Sequence, residues 1–107
     1  MNRPDLTPMT KVEVIVTGDD MPAVLDVLSA GGAVGYTVFS AVAGLGHAGL
    51  RQGRLHFNDR ATLQMALTVV PADRAEQLVD ALLALLADRP GVLFVSDTNV
   101  SRPEHFT

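Results

Sequence analysis

Charged and β-branched residues alternate through KVEVIVTG at 11–18, a period of two that predicts a strand. Asp19 or Asp20 can cap the helix that follows, and Pro22 suits its first turn. Met21, Val24, Leu25 and Leu28 then recur on one helical face until Gly31 and Gly32 stop it. Residues 34–42, with Tyr36, Val38 and Phe39, predict a second strand, and a glycine-rich loop over 43–61 follows. TLQMALTVV at 62–70 places Leu63, Met65, Leu67 and Val69 on one side of a third strand, which Pro71 ends. Asp73 with Glu76 resembles a capping box, with Asp in the usual Ser or Thr place. Leu78, Val79, Leu82, Leu83 and Leu86 form the apolar face of a second helix, DRPG at 88–91 terminates it, and VLFVSDTNV at 92–100 is the fourth strand.

The order β-α-β-β-α-β is the signature of a split βαβ sandwich. The expected fold is α+β and ferredoxin-like, with a four-stranded antiparallel sheet and two helices on one face. The other face is expected to show several of Ile15, Phe39, Ala41, Ala66, Leu93 and Val95, an apolar surface that suits an oligomer interface. The chain divides into a flexible N-terminal segment at 1–10, one domain at 11–100 and a C-terminal tail at 101–107.

Composition narrows the class. A length of 107 residues allows one domain with a modest core, and 48% apolar with 19% charged residues is an ordinary globular balance. The formal charge of −4 argues against broad nucleic-acid binding, which needs a basic face. The chain has no cysteine, which excludes disulfides and thiolate metal sites. The first ten residues, MNRPDLTPMT, hold two prolines and no apolar run, unlike a signal peptide. No uninterrupted stretch approaches the ~20 apolar residues of a spanning helix. The expectation is a cytoplasmic protein with no membrane insertion.

Charge is concentrated in one place. Residues 43–61 carry Arg51, Arg54 and Arg60 against the single acid Asp59, so the loop is formally +2 in a chain of −4. Basic residues gathered in a glycine-rich segment of an acidic protein suggest an anion site; solubilising arginines on a hairpin tip are the alternative. Gly44-Leu45-Gly46-His47-Ala48-Gly49 matches G-x-G-x-x-G. A dinucleotide fingerprint also needs a helix straight after it and an acid about 20 residues on. Gly53 interrupts any helix, and the segment near 65 is an apolar strand, so that reading is rejected. The glycines still let backbone N–H groups approach a phosphate. Arg51 or Arg54 can then pair with it in a forked geometry.

Other chemistry is poorly supported. His47, His56 and His105 are the only histidines, and no acids at metal spacing accompany them. Asp19, Asp20 and Asp26 around the first helix read as caps and surface charges. The serines at 29, 40, 96 and 101 lack a nucleophile-elbow context. No catalytic residue and no metal ligand is assigned.

GYTV leading into the second strand and GLGHAGLRQG opening the long loop, set in this element order, resemble the PII-like signalling superfamily. GYTV followed by G-x-G-x-x-x-x-R is most similar to the PII-like proteins associated with bicarbonate transporters and carboxysomes. The resemblance covers 11–100 in topology and 35–53 in motif. It implies a ferredoxin-like homotrimer that binds adenine nucleotides in clefts between subunits and uses the flexible loop as a switch. It places Gly35 and Thr37 near the base or ribose, and Gly44, Gly46, His47 and Arg51 near the phosphates; Arg54, from the charge pattern of the loop, is the alternate cation. Arg89, Pro90 and Gly91 would close the cleft from its other side. PII proteins proper carry Gln and Lys just after G-F-G, where this chain has His47 and Ala48, which argues against magnesium-assisted 2-oxoglutarate binding. DRPGV lacks the lysine of the corresponding PII turn, which favours AMP or ADP over ATP. Residues 43–61 contain no Tyr or Ser to accept a covalent modification.

The resemblance thus implies a non-enzymatic sensor of AMP or ADP, with bicarbonate as a second ligand. The implied partner is a bicarbonate transporter or a carboxysome-related protein, and residues about 44–56 are expected to be disordered without ligand. The alternatives are a small nucleotide- or phosphate-processing enzyme on the same fold, a CutA-like trimeric metal-binding protein, and a trimeric scaffold with no ligand.

Overall fold

The computed structural model describes residues 3–42, 44–46, 49–51 and 62–107, with side chains outside 41–61. Strand β1 (Thr7–Thr17) leads to helix α1 (Met21–Ala30) and strand β2 (Tyr36–Val42). Two short strands, β3 (Gly44–Gly46) and β4 (Gly49–Arg51), precede β5 (Leu63–Val70), helix α2 (Ala72–Leu86) and β6 (Val92–Val100). A 3-10 turn at Pro103–His105 follows. The main sheet has the order β2-β5-β1-β6, and every pairing is antiparallel. The expected βαββαβ ferredoxin-like arrangement is therefore present.

β1 begins earlier than its alternation suggests. Thr7, Pro8, Met9 and Thr10 pair with Val100, Asn99, Thr98 and Asp97, so this part of the expected flexible 1–10 segment is ladder. The neighbouring strand supplies the hydrogen bonds that the local pattern does not advertise. Within the expected irregular loop, β3 and β4 pair as a ribbon, with Gly44 opposite Arg51 and Gly46 opposite Gly49. That part of the expected disorder at 44–56 is instead a paired ladder, and the rest lies outside the described residues.

The two helices cover one face. Val12, Val14 and Val16 point to them and are fully or almost fully buried. In antiparallel pairs directly opposed residues share a face. Val12 therefore aligns with Thr68 and Val95, and Val14 with Ala66 and Leu93. Ala66, Leu93 and Val95, expected on the uncovered face, lie on the helix side. Ala66 is buried and Leu93 packs against the core. Val95 is half-exposed because it lies on the edge strand. Met21, Val24 and Leu28 of α1 and Leu78 and Leu82 of α2 complete the core. Burying each such side chain contributes roughly 1.5–3 kcal/mol. Leu83, expected on the buried face of α2, is 53% exposed.

The helix starts also differ from expectation. Pro71 is the N-cap of α2, which puts Asp73 inside the first turn. It therefore complements the helix dipole and does not cap. Asp20 is the N-cap of α1, yet its side chain makes no capping hydrogen bond.

The uncovered face carries Ile15 of β1, Leu63, Met65 and Leu67 of β5, Phe39 of β2, and Val92 and Phe94 of β6. Phe39 is 45% and Phe94 48% exposed in the single chain.

Gly91 shows how tightly the sheet meets the turn after α2. A Cβ there would lie 2.9 Å from Val16 Cγ1, 3.0 Å from the Ile15 carbonyl oxygen and 3.2 Å from Leu86 Cδ2. One of those neighbours is backbone and cannot rotate away. Gly91→Ala is expected to destabilise the fold by about 1–3 kcal/mol in urea unfolding. An unchanged midpoint would show that the turn yields without cost.

Candidate functional site

The strand registers divide the sequence-predicted site residues between two ends of the sheet. Tyr36 aligns with Thr68, and Thr10 with both Val70 and Asp97. Gly35, the end of β5, the start of β1 and the end of β6 therefore share one end. Val42 aligns with Leu63, Thr17 with Leu63, and Ile15 with Val92, which defines the other end.

At the first end, Gly35 enters β2 with its carbonyl accepting a hydrogen bond from Thr68 Oγ1. Thr68 is fully buried, and this bond satisfies its hydroxyl. A Cβ on Gly35 would approach the His105 carbonyl oxygen to 3.0 Å and the Phe106 ring to 3.7 Å. Thr37, two residues on, is exposed and lies opposite Leu67 on the uncovered face. Two residues apart on an extended chain means the same side, so the tail lies against the uncovered face. From Val100 on one sheet edge, it reaches Gly35 at the other. Met9 and Val69 also project to the uncovered face at this end, yet both are buried. The tail crosses the sheet at this same end.

The same tail forms an open groove of about 490 Å³, lined by Asn99, Val100, Ser101, Arg102, His105 and Phe106. Two basic side chains, an amide, a hydroxyl and an aromatic ring suit an anionic ligand with a flat apolar part. Arg3, Lys11 and Arg89 pair with Asp5, Glu13 and Asp20, and Arg74 donates to the Gly32 carbonyl. Among the arginines whose side chains are described, Arg102 is the one whose guanidinium has no hydrogen bond or ion pair. Sequence reasoning passed over this groove because 101–107 carries no periodicity; the one available signal was Arg102 close to His105.

At the other end, Arg89, Pro90 and Gly91 form the turn between α2 and β6. Arg89 Nη1 donates to the Leu85 carbonyl at 3.2 Å, and Nε pairs with Asp20 Oδ1 at 3.3 Å. Arg89 thus ties the end of α2 to the start of α1. The turn before α1 meets the base of the long loop, because Gly18 N–H donates to the Thr62 carbonyl at 2.8 Å. Beyond β2, Gly44 and Gly46 lie in the ribbon with Arg51 on the facing strand. His47 and Arg54 lie outside the described residues, as does His56.

One chain does not gather these groups. Gly35 and Thr37 belong to edge strand β2 and its approach, whereas Arg89–Gly91 lead into the opposite edge strand β6. Three strand spacings separate the edges, about 14 Å. Among the described residues, no three His, Asp or Glu side chains cluster to hold a metal. No helix among them is long and apolar enough to cross a membrane.

The family model described as nitrogen regulatory protein P-II matches residues 9–105. Among solved structures, the chain is similar to CPII, a nitrogen regulatory PII-like protein from Thiomonas intermedia K12, bound to ADP, AMP and bicarbonate. The identity is 33% and the TM-score 0.87, with 94% of this chain and 95% of that chain covered. CPII bound to ADP and bicarbonate matches at 32% identity and a TM-score of 0.83, covering 95% and 97%. A protein from Thermus thermophilus described as PII-like shares the fold at 18% identity and a TM-score of 0.79, covering 96% and 99%. No curated protein matches the chain. The family match begins inside β1 and ends in the tail beside Gly35, so it spans both ends of the sheet, and the chain belongs to the nitrogen regulatory protein P-II family.

Proposed function

We propose that this chain is a non-enzymatic PII-like regulator. It binds AMP or ADP, together with bicarbonate, in clefts between the subunits of a homotrimer. It reports occupancy to a partner in inorganic-carbon metabolism through the segment 43–61. The observation that carries this reading is the likeness to CPII, whose structure holds ADP, AMP and bicarbonate, over nearly the whole of both chains. The family's regulatory character favours signalling over catalysis.

The geometry supports a shared cleft. Gly35 and Thr37 lie too far across the sheet from Arg89, Pro90 and Gly91 for one chain to close a site around a nucleotide, and a second copy supplies the missing wall. The apolar uncovered face is the surface on which that copy packs. In this reading Gly35 and Thr37 face the base or ribose. The backbone of Gly44 and Gly46, with His47, Arg51 and Arg54, faces the phosphates. Arg102 of the tail groove adds positive charge beside Gly35, and His105 adds a ring nitrogen that can hydrogen-bond.

Titration calorimetry with adenosine, AMP, ADP and ATP, each with and without bicarbonate, tests it. AMP and ADP are expected to bind more tightly than adenosine, and bicarbonate to raise their affinity. Binding no tighter than millimolar for every nucleotide overturns the reading in favour of a scaffold.

A further inference from the structure

We infer that Asp20 is a specificity-determining residue: by neutralising Arg89 it limits how much phosphate charge the turn at 88–91 accepts. The inference rests on the nucleotide reading above and goes beyond it by assigning a role to an acid outside the predicted site.

Three observations carry it. First, Asp20 occupies the N-cap of α1 but makes no side-chain capping bond. An N-cap aspartate ordinarily accepts from the backbone N–H groups of the first turn. Here its carboxylate is turned to Arg89 Nε, 3.3 Å away. Second, Arg89 is the sole cation of the 88–91 turn, and Asp88 precedes it. A phosphate approaching this turn therefore meets a guanidinium already facing a carboxylate, with a further acid beside it. Third, Arg89 is held from two sides, because Nη1 also donates to the Leu85 carbonyl. A guanidinium has five N–H donors. One is hydrogen-bonded to Leu85 and Nε faces Asp20, so the remaining ones can still meet an anion while the Asp20 charge stays close to it. The pair is half-shielded from water, with side-chain exposures of 38% for Arg89 and 21% for Asp20.

The chemistry follows from Coulomb's law. Each added phosphate brings more negative charge toward a cation that already has the Asp20 carboxylate 3.3 Å away. AMP loses little by this, and ATP loses most. Asp20 thus acts through Arg89 as a positioning and charge-setting group.

Asp20→Asn removes the charge but keeps an acceptor oxygen for Arg89 Nε–H, and Asn caps helices as well as Asp does. Asp26→Asn changes the net charge equally at an exposed position of α1. The affinities of the full chain for AMP, ADP and ATP are measured by calorimetry at low salt, for the unaltered protein and both variants. The ratio of ATP to AMP affinity is expected to rise about 5- to 20-fold in Asp20→Asn and to stay within about twofold in Asp26→Asn. A purely structural role for Asp20 would lower all three affinities together. An unchanged ratio in Asp20→Asn, or an equal rise in Asp26→Asn, overturns the inference while nucleotide binding stands. Failure of the unaltered chain to bind any adenine nucleotide overturns the nucleotide reading itself and removes the basis of this one.

Discussion

Phe39→Asp is expected to convert the proposed trimer to monomer. Phe39 faces away from both helices, directly opposite Met65, and is 45% exposed in the single chain. If that face stayed in water, an aspartate there would change stability by no more than about 0.5 kcal/mol. If it is packed against another copy, the carboxylate is buried without a partner, at several kcal/mol per subunit. The difference between these outcomes is large enough to decide the role of the face. Sedimentation at micromolar concentration should give a trimer for the unaltered chain and a monomer with native circular dichroism for Phe39→Asp. Phe39→Ala, which adds no charge, should retain part of the assembly. An unaltered chain that sediments as a monomer sinks the proposal.

Arg51→Ala is expected to weaken AMP or ADP binding about 10- to 150-fold. A charge-assisted bond to phosphate contributes roughly 1.5–3 kcal/mol, which converts to that range. Arg51 lies in β4 opposite Gly44, so its backbone faces the glycine strand proposed to approach the phosphates. Arg51→Lys should recover only part of the loss, because an ammonium lacks the fork that meets two phosphate oxygens. Adenosine affinity should be nearly unaffected by either substitution. Equal losses for adenosine and ADP would show that Arg51 supports the fold of the ribbon and not the phosphate contact.

How far the site is legible in the sequence differs from residue to residue. Gly35 stands out through its GYTV motif, and the structure gives it a physical reason: a Cβ would press on the His105 carbonyl. That reason depends on a tail 70 residues away in sequence, which no local pattern announces. The family resemblance places Arg89 in the turn that closes the cleft, and the structure adds its ion pair with Asp20. Asp20 in turn reads as a cap. The cap reading uses near neighbours in sequence, whereas the ion pair joins the start of one helix to the end of the other.

The sequence by itself determined the element order and the class of fold. Hydrophobic periodicity is a local property, and Val12, Val14, Val16, Leu78 and Leu82 carry it plainly. It also concentrated positive charge in 43–61. Only the tertiary structure decided which side of each strand the helices cover. Alternation separates the two faces of a strand but does not label them, and a strand's face is assigned by its register against the next one. That is why Ala66, Leu93 and Val95 went to the helix side and Met65 and Phe94 to the open side. The tertiary structure also decided that the tail lies across the sheet beside Gly35 and that Asp20 faces Arg89. Such contacts arise between segments far apart in the chain, where position in space, and not spacing in sequence, sets which charges and carbonyls meet.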